Sequence, residues 1–142
     1  MLRSYLLVGI QFGLIGFLAW HGGIWGDSML THMLVVAGIL IGLSAVFTMR
    51  FRFSVLPEVR AGQTLYTGGP YAFVRHPMYT AVLLVTLGWV LNRPDVVSFM
   101  LWTALAVDLL LKLHYEERAL SERFSDYAAY MVRTRRLIPW VY

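Results

Sequence analysis

Four long apolar segments occupy most of this 142-residue chain and constrain its fold more than any other feature. They run approximately over Tyr5–Trp20, Leu30–Met49, Pro77–Leu91 and Val96–Leu113. The second has the roughly 20 residues that a membrane-spanning helix needs, and the others are somewhat shorter. Hydrophobic residues make up 58% of the chain, charged residues only 14%, and the mean hydropathy is +0.63. The pattern predicts an all-α integral membrane protein with about four transmembrane helices, forming one membrane domain over residues 1–142.

Two features of the connections refine this prediction. The third and fourth segments are separated only by Asn92-Arg93-Pro94-Asp95, a strong turn signal, so we expect a tight helical hairpin. The first segment has the charged start of a signal peptide, but Ala19-Trp20-His21 is a poor cleavage site, and we expect a retained helix. The chain has no cysteine, which excludes disulfides, thiolate nucleophiles and Cys-ligated metals.

The basic residues predict the orientation in the membrane. Eleven of the 12 Lys and Arg residues fall on one side of the predicted spans, and only Arg93 falls on the other. Because positive charge accumulates in cytoplasmic loops, we expect both termini, the loop between the second and third spans, and the C-terminal tail in the cytoplasm. In so apolar a chain, the net charge of +4 favours contact with lipid headgroups rather than with nucleic acid.

The C-terminal tail has a different pattern from the spans. Leu120, Phe124, Tyr127 and Met131 recur at helical spacing, with charged residues between them. The spacing predicts an amphipathic helix from Glu116 to about Arg136. This helix would lie on the membrane surface or fold back over the ends of the spans.

The segment Gly69–Tyr79, with sequence GPYAFVRHPMY, concentrates chemically versatile side chains at the start of the third apolar segment. Pro77 suits the first turn of a helix, and the free amides of a helix start favour an anionic group. A hairpin with the expected turn returns the pair Glu116-Glu117 to the same level, at the cytoplasmic boundary. Equal helix rise places Tyr79 beside Asp108, His76 beside Leu111 and Tyr71 beside Glu116. The sequence therefore predicts a functional site formed by these two segments.

Structural roles are alternatives for each member of this set. Arg75 and His76 are also typical of membrane-interface residues, and Tyr71, Phe73 and Tyr79 of an aromatic belt. Asp108 and Lys112 have the spacing of a pair that neutralises itself, and Glu116-Glu117 that of a solvated helix start. Convergence of the two segments favours the functional interpretation. No set of side chains has the spacing of a metal site.

The chain resembles the isoprenylcysteine carboxyl methyltransferase family, to which phospholipid N-methyltransferases are related. The resemblance covers residues 60–140, which we expect to form a methyltransferase core after two N-terminal spans in residues 1–49. It rests on a Gly-x-Tyr-x-x-x-Arg-His-Pro-x-Tyr motif, two apolar segments joined by a short turn, Glu-Glu-x-x-Leu, an aromatic tail and a closing Arg-x-Ile-Pro. The matching residues are Gly69, Tyr71, Arg75, His76, Pro77, Tyr79, Glu116, Glu117, Leu120, Phe124, Tyr127, Tyr130, Arg136, Ile138 and Pro139.

The resemblance implies a membrane methyltransferase that uses S-adenosylmethionine at the membrane–cytosol boundary. It implies cofactor binding by residues before and within the motif and by one carboxylate of the hairpin, and substrate binding by Lys112. The implied cofactor-binding residues are Gln63, Leu65, Tyr66, Tyr71, His76, Pro77, Met78, Tyr79 and Glu116.

The side-chain chemistry agrees with that activity. Aromatic faces such as Tyr71 and Tyr79 can hold a sulfonium cation, carboxylates can accept ribose hydroxyls, and Arg75 with His76 can hold the cofactor's carboxylate. We expect Arg75 and Glu117 to be the catalytic residues. An amine or hydroxyl acceptor would need a general base, for which Glu117 and His114 are candidates. We expect a lipophilic or membrane-delivered acceptor, such as an isoprenylcysteine carboxylate, a lipid or an apolar small molecule.

Two other functions are also compatible with the sequence. Sterol reductases, which bind NADPH, share an Arg-His-Pro-x-Tyr motif and a Tyr…Ile-Pro-x-x-Tyr ending, although they are much longer. A non-catalytic membrane accessory protein is the third possibility, and it would tolerate alanine at His76, Tyr79 and Glu116.

Overall fold

The computed structural model describes residues 2–26, 28–51 and 64–142. Within these ranges the chain forms five α-helices and a 3₁₀ turn, Gly69–Ala72, and contains no β-strand. The helices are α1 (Leu2–Gly22), α2 (Met29–Thr48), α3 (Pro77–Asn92), α4 (Val96–Arg123) and α5 (Tyr127–Arg133).

Three of these helices are long and apolar enough to cross a membrane. They are α1 from Ser4, α2 and α4, and each contains an 18-residue window with a mean hydropathy between 1.4 and 2.2. The all-α class and the integral membrane nature of the chain are therefore confirmed. The helix α3 is apolar but has only 16 residues, about 24 Å at 1.5 Å per residue, so the fourth span stays a prediction.

Glycine allows α3 to pack closely against α2, which is its main partner. A Cβ atom on Gly38 would lie 2.7 Å from a methyl of Val85 and 2.8 Å from the Ala81 carbonyl oxygen. A Cβ atom on Gly88 would lie 2.7 Å from a methyl of Val35. Small residues at such positions bring helix backbones together, which is the main source of helix association in an apolar environment.

The connection between α3 and α4 is as short as the turn signal predicts, with only residues 93–95 between the helices. Asp95 caps α4 by accepting a hydrogen bond from the Ser98 amide at 2.9 Å. However, α3 packs mainly on α2 and α4 packs mainly on α1, so α3 and α4 are not each other's principal partners. One buried cluster, Leu18, Val90, Leu105 and Leu109, joins α1, α3 and α4.

The C-terminal tail differs from the predicted single amphipathic helix. Glu116 to Arg123 continue α4 without interruption, the chain turns at residues 124–126, and α5 has only seven residues. Ser125 and Asp126 are turn-forming residues, which explains the break. The apolar positions of the predicted helix face inward, because Leu120, Tyr127 and Tyr130 form a buried cluster with Leu65, Phe124 and Met131. The tail therefore folds back over the end of α4.

Candidate active site

The motif 69–79 begins with a glycine that its surroundings require. Gly69 has a φ of +56°, and a Cβ atom there would lie 2.5 Å from the Thr48 hydroxyl oxygen. Gly69 begins the 3₁₀ turn, which buries Tyr71. The Tyr71 hydroxyl donates to the Met49 sulfur at 3.1 Å. Pro77 occupies the first position of α3, as predicted, and His76 is the residue before it.

The residues after α5 hold this motif in place from one side. The Arg75 amide donates to the Arg135 carbonyl at 2.7 Å, and the His76 amide donates to the Arg136 carbonyl at 3.0 Å. The Thr80 hydroxyl donates to the Leu137 carbonyl at 2.7 Å. These bonds extend an isolated parallel bridge between Val74 and Arg135. The closing segment of the chain is thus part of the structure that positions the motif.

Glu117 lies at the centre of a buried ion network. Its Oε1 accepts from Arg75 Nε at 2.6 Å, and its Oε2 accepts from Arg136 Nε at 3.1 Å. The Arg75 and Glu117 side chains are each only 8% exposed. Arg75 also donates to the Thr134 carbonyl at 2.8 Å, so one guanidinium joins the motif, α4 and the residue that ends α5. Arg136 was among the residues that match the family motifs, but its contact with Glu117 was not predicted. The closing Arg-x-Ile-Pro motif is the sequence feature that could have suggested it.

Glu116 lies next to Glu117 on α4 but has different partners. Its Oε2 accepts from the Tyr79 hydroxyl at 3.0 Å and lies 3.6 Å from His76 Nδ1. The His76 and Tyr79 rings stack with centroids 5.4 Å apart and planes within 3° of parallel. His76 is buried, and among the described residues its Nε2 has no hydrogen-bond partner, although Glu117 Oε1 is 3.5 Å away. The Glu116 side chain remains 27% exposed, so it is accessible to a ligand.

The register between α3 and α4 differs from the equal-rise prediction. Tyr79 reaches Glu116 rather than Asp108, and His76 reaches both members of the acidic pair rather than Leu111. The helices follow different neighbours, α2 and α1, and therefore do not run as an ideal antiparallel pair. The two predicted segments meet at the expected acidic pair, and Tyr71 and Glu116 line one cavity as expected, but Tyr79 contacts α4 about two helical turns further along than equal rise predicts.

Lys112 lies beneath this cluster on α4 and is almost fully buried. Its ammonium lies 5.6 Å from the centre of the Tyr79 ring and donates a hydrogen bond to the Gln11 side-chain carbonyl on α1. No hydrogen bond joins Lys112 to Asp108, whose two carboxylate oxygens have no hydrogen-bond partner in the described part of the chain, although the two opposite charges still attract each other. Gln11 was not predicted, because a single glutamine in an apolar segment gave no spacing signal.

A narrow cavity of about 40 Å³ lies beside Glu116. Its aromatic lining consists of Tyr66, Tyr71, Tyr127 and Tyr130, and its other lining residues are Met49, Thr64, Leu65, Arg75, Glu116 and Leu120. Burial raises the pKa of Tyr130 to about 12, and burial, followed by nearby acidic groups, raises the pKa of Tyr71 and of Tyr127 above the ordinary value. These phenols therefore stay neutral and can act as hydrogen-bond donors at physiological pH.

The predicted site residues are distributed around this cavity. Leu65, Tyr66, Tyr71, Arg75 and Glu116 line it, whereas His76 and Tyr79 contact Glu116 from α3 and its start. Pro77 is buried at the α3 start, Met78 is half-buried beside it, and Gln63 lies outside the described residues. His114 is exposed, and its Nδ1 forms a hydrogen bond with the Leu110 carbonyl of its own helix. Among the described residues, no three His, Asp or Glu side chains form a possible metal site.

The fold and the site define a class of protein: a helical integral membrane protein with a charged and aromatic cluster where α3 begins. The sequence profile of the phospholipid methyltransferase family matches residues 27–127, which include Arg75, His76, Tyr79 and both glutamates. The chain therefore belongs to the phospholipid methyltransferase family, which is related to the isoprenylcysteine carboxyl methyltransferases. The resemblance drawn from the motifs is confirmed at this level.

Two similar proteins are named for metal resistance. The cobalt-zinc-cadmium resistance protein CzcN of Cupriavidus metallidurans is 30% identical over 116 residues, covering 81% of this chain and 53% of the relative. The nickel-cobalt-cadmium resistance protein NccN of Alcaligenes xylosoxydans xylosoxydans is 27% identical over 117 residues, covering 81% of this chain and 54% of the relative. The chain thus spans about half the length of these relatives. No solved structure matches it significantly.

Proposed function

We propose that this protein is a membrane-embedded methyltransferase that uses S-adenosylmethionine and acts on a lipophilic or membrane-delivered acceptor. The observation that carries the proposal is the contact set of Glu116, Tyr79 and His76, which lies inside the family match and beside an aromatic-lined cavity. The bound cofactor supplies a methyl group on a sulfonium, so the task of the protein is mainly to bind and orient the reactants.

The residues around the cavity fit such a cofactor. Glu116 has one carboxylate oxygen held by Tyr79 and is partly exposed, so its other oxygen is available to ribose hydroxyls or to the cofactor's amino group. The tyrosine faces of the cavity suit a sulfonium cation, and His76 Nε2, which has no hydrogen-bond partner among the described residues and lies 3.5 Å from Glu117 Oε1, suits a polar group of the cofactor. Because the present cavity is narrower than an adenosyl group, its walls have to separate on binding.

The contacts of Tyr79 favour an orienting role for that ring. Its hydroxyl donates to Glu116, its ring stacks on His76, and Lys112 lies over it. We propose that Tyr71, which lines the cavity, offers the aromatic face to the sulfonium. The hydroxyl of Tyr79 then determines which way the Glu116 carboxylate points.

We keep Arg75 and Glu117 in the proposed active site, with a role that follows from their contacts. Both oxygens of Glu117 accept from guanidinium groups, which leaves it poorly placed to take a proton from an acceptor. The pair instead fixes the motif against α4 and the closing segment. Arg75 also lines the cavity, so its guanidinium can approach an anionic group there.

The acceptor and the orientation complete the proposal. We propose that residues 60–140 form the methyltransferase core and that an apolar acceptor enters laterally from the bilayer, with Lys112 near its reacting group. The basic asymmetry supports a cytoplasmic position for the termini and the active site.

Calorimetry on the purified protein in detergent tests cofactor binding. Adenosylhomocysteine should bind and NADPH should not, and the opposite result would support the reductase alternative. Glu116→Gln should weaken adenosylhomocysteine binding by about tenfold or more, because hydrogen bonds to charged groups contribute ~1.5–3 kcal/mol. Glu122→Gln is the matched control, since Glu122 is exposed on the same helix and pairs only with Arg118 among the described side chains. Equal effects of the two variants would contradict the proposed site.

The names of the two relatives favour a second candidate function, participation in divalent-metal resistance. Growth of cells expressing the chain in cobalt, zinc or cadmium salts tests it. If Glu116→Gln removes any protection, the resistance depends on the proposed active site. Protection that survives Glu116→Gln, His76→Ala and Tyr79→Ala would favour the non-catalytic accessory role.

A further inference from the structure

Three buried polar side chains lie between α1 and α4, inside the apolar part of the chain. They are Gln11, Asp108 and Lys112, with exposures of 6%, 5% and 1%. Ionisable groups at such positions are costly in a membrane and are retained where they have a function. None of the three is explained by the packing of the apolar core.

The partner of Lys112 is informative. Asp108 precedes Lys112 by one helical turn and would be its nearest neutralising partner. Instead, the ammonium donates to the amide oxygen of Gln11, which is 101 residues away, while the Asp108 oxygens have no hydrogen-bond partner in the described segments. Asp108 and Glu116 still attract the ammonium through space, but the hydrogen bond that fixes its position comes from Gln11, on a different helix.

That position connects Gln11 to the proposed active site. The Lys112 ammonium lies over the Tyr79 ring, and Tyr79 in turn holds Glu116 through its hydroxyl and His76 through ring stacking. The contacts form one continuous series from α1 to the cofactor-facing carboxylate. Residue 11 lies outside the 27–127 family match, so the family profile gives no indication of it.

We propose that Gln11 is a positioning residue of the active site, which holds the Lys112 ammonium against the Tyr79 ring and thereby fixes Tyr79 toward Glu116. The inference rests on the proposed function. It predicts that α1 determines the geometry of the site, although no residue of α1 is predicted to contact the cofactor. Glutamate at position 11 preserves an acceptor for Lys112, whereas leucine removes it.

Nuclear magnetic resonance of protein with ¹³C-labelled tyrosine tests the contact series without any ligand. The chain has eight tyrosines, and the Tyr79 signal is assigned with Tyr79→Phe. Gln11→Leu should shift the Tyr79 signal and Gln11→Glu should retain it. Thr86→Val should leave it unchanged, because Thr86 is also buried and, among the described residues, its hydroxyl donates to carbonyls of its own helix α3. An unmoved Tyr79 signal in Gln11→Leu, or equal shifts in all three variants, would overturn the inference.

Calorimetry with adenosylhomocysteine tests the consequence for the site. Gln11→Leu should weaken binding about two- to thirtyfold, the range expected for losing a cation–ring contact, and Gln11→Glu should restore it. Thr86→Val should lower the unfolding temperature without changing affinity. If Gln11→Leu does not fold, Gln11→Asn takes its place, because the shorter amide withdraws the acceptor and keeps the polarity.

The outcomes distinguish the two proposals. A wild-type protein that binds no adenosylhomocysteine would overturn the proposed function. A wild-type protein that binds, with affinity unchanged in Gln11→Leu, would overturn only the role of Gln11.

Discussion

Replacing Glu117 by glutamine should destabilise this protein far more than a typical surface substitution. The carboxylate lies between the guanidinium groups of Arg75 and Arg136, and both members of the Arg75–Glu117 pair are only 8% exposed. Removing one partner of a buried ion pair costs about 3–5 kcal/mol, because the remaining charge is left buried without compensation. Since Arg136 is 32% exposed and can turn toward water, we expect a value near the lower end, about 3 kcal/mol.

The other members of the network give graded expectations. Arg75→Gln should cost about as much as Glu117→Gln, because it leaves the buried carboxylate with one partner and frees the Thr134 carbonyl. Arg136→Gln should cost only about 0–1 kcal/mol, since that guanidinium is already partly hydrated. In a double-mutant cycle, Arg75→Gln and Glu117→Gln should couple by more than about 1 kcal/mol.

Reversible unfolding in mixed detergent–SDS micelles measures these free energies. Glu122→Gln is the matched control: its pair with Arg118 is 83% and 70% exposed, and it should cost about 0–0.5 kcal/mol. If Glu117→Gln is no more destabilising than Glu122→Gln, the network does not hold the motif to α4. The assignment of Glu117 to positioning would then be wrong, and its predicted role as a general base would regain support.

Three further predictions test other parts of the structure. Tyr79→Phe should weaken adenosylhomocysteine binding by about tenfold, measured by calorimetry, because Glu116 loses a hydrogen-bond donor to its charge; unchanged affinity would mean that the hydroxyl does not orient Glu116. Reporter fusions near Gly26, at Gln63 and at the C terminus should place the last two in the cytoplasm and the first on the opposite side, and a non-cytoplasmic signal at Gln63 would reject the topology. The Ser98 amide and then His21 lower the pKa of Asp95 to about 2, so its contribution to stability should be complete above pH 4 and disappear as the pH falls toward 2. Thermal unfolding of wild type and Asp95→Ala should converge over that range, and a constant difference would exclude Asp95 as the titrating group.

The sequence was sufficient to predict the class of fold and the meeting of the two functional segments. Apolar length predicted the long helices, and the turn signal at residues 92–95 predicted the short connection between α3 and α4. The register across that connection was not predictable, because it depends on α3 packing against α2 through Gly38 and Gly88. Such close approach depends on tertiary packing, which cannot be predicted from the spacing of residues within one helix.

The break in the tail at residues 124–126 was not predicted. Its apolar spacing was detected correctly, but the sequence left open both a position on the membrane surface and a fold back over the spans, because periodicity alone does not reveal whether an apolar face meets lipid or the rest of the protein. Tyr127 and Tyr130 face inward in one buried cluster, and the Tyr130 hydroxyl donates to the Tyr71 carbonyl at 2.6 Å, a contact between residues 59 positions apart. The His21–Asp95 pair, with 2.7 Å between the two atoms, was not predicted either, since the residues are 74 positions apart in sequence.

The adjacent glutamates illustrate how identical residues acquire different roles. Successive residues on an α-helix point about 100° apart, so Glu116 and Glu117 face different surroundings from one turn of α4. Glu117 faces Arg75 and the closing segment, where Arg136 completes its partners. Glu116 faces Tyr79 and the cavity, which Arg75 also lines, and among the described residues no guanidinium forms an ion pair with it. Arg75 of the motif and Arg136 of the closing segment together engage both oxygens of Glu117, so the division of roles that we propose for the two carboxylates depends on residues 134–137 packing against the motif.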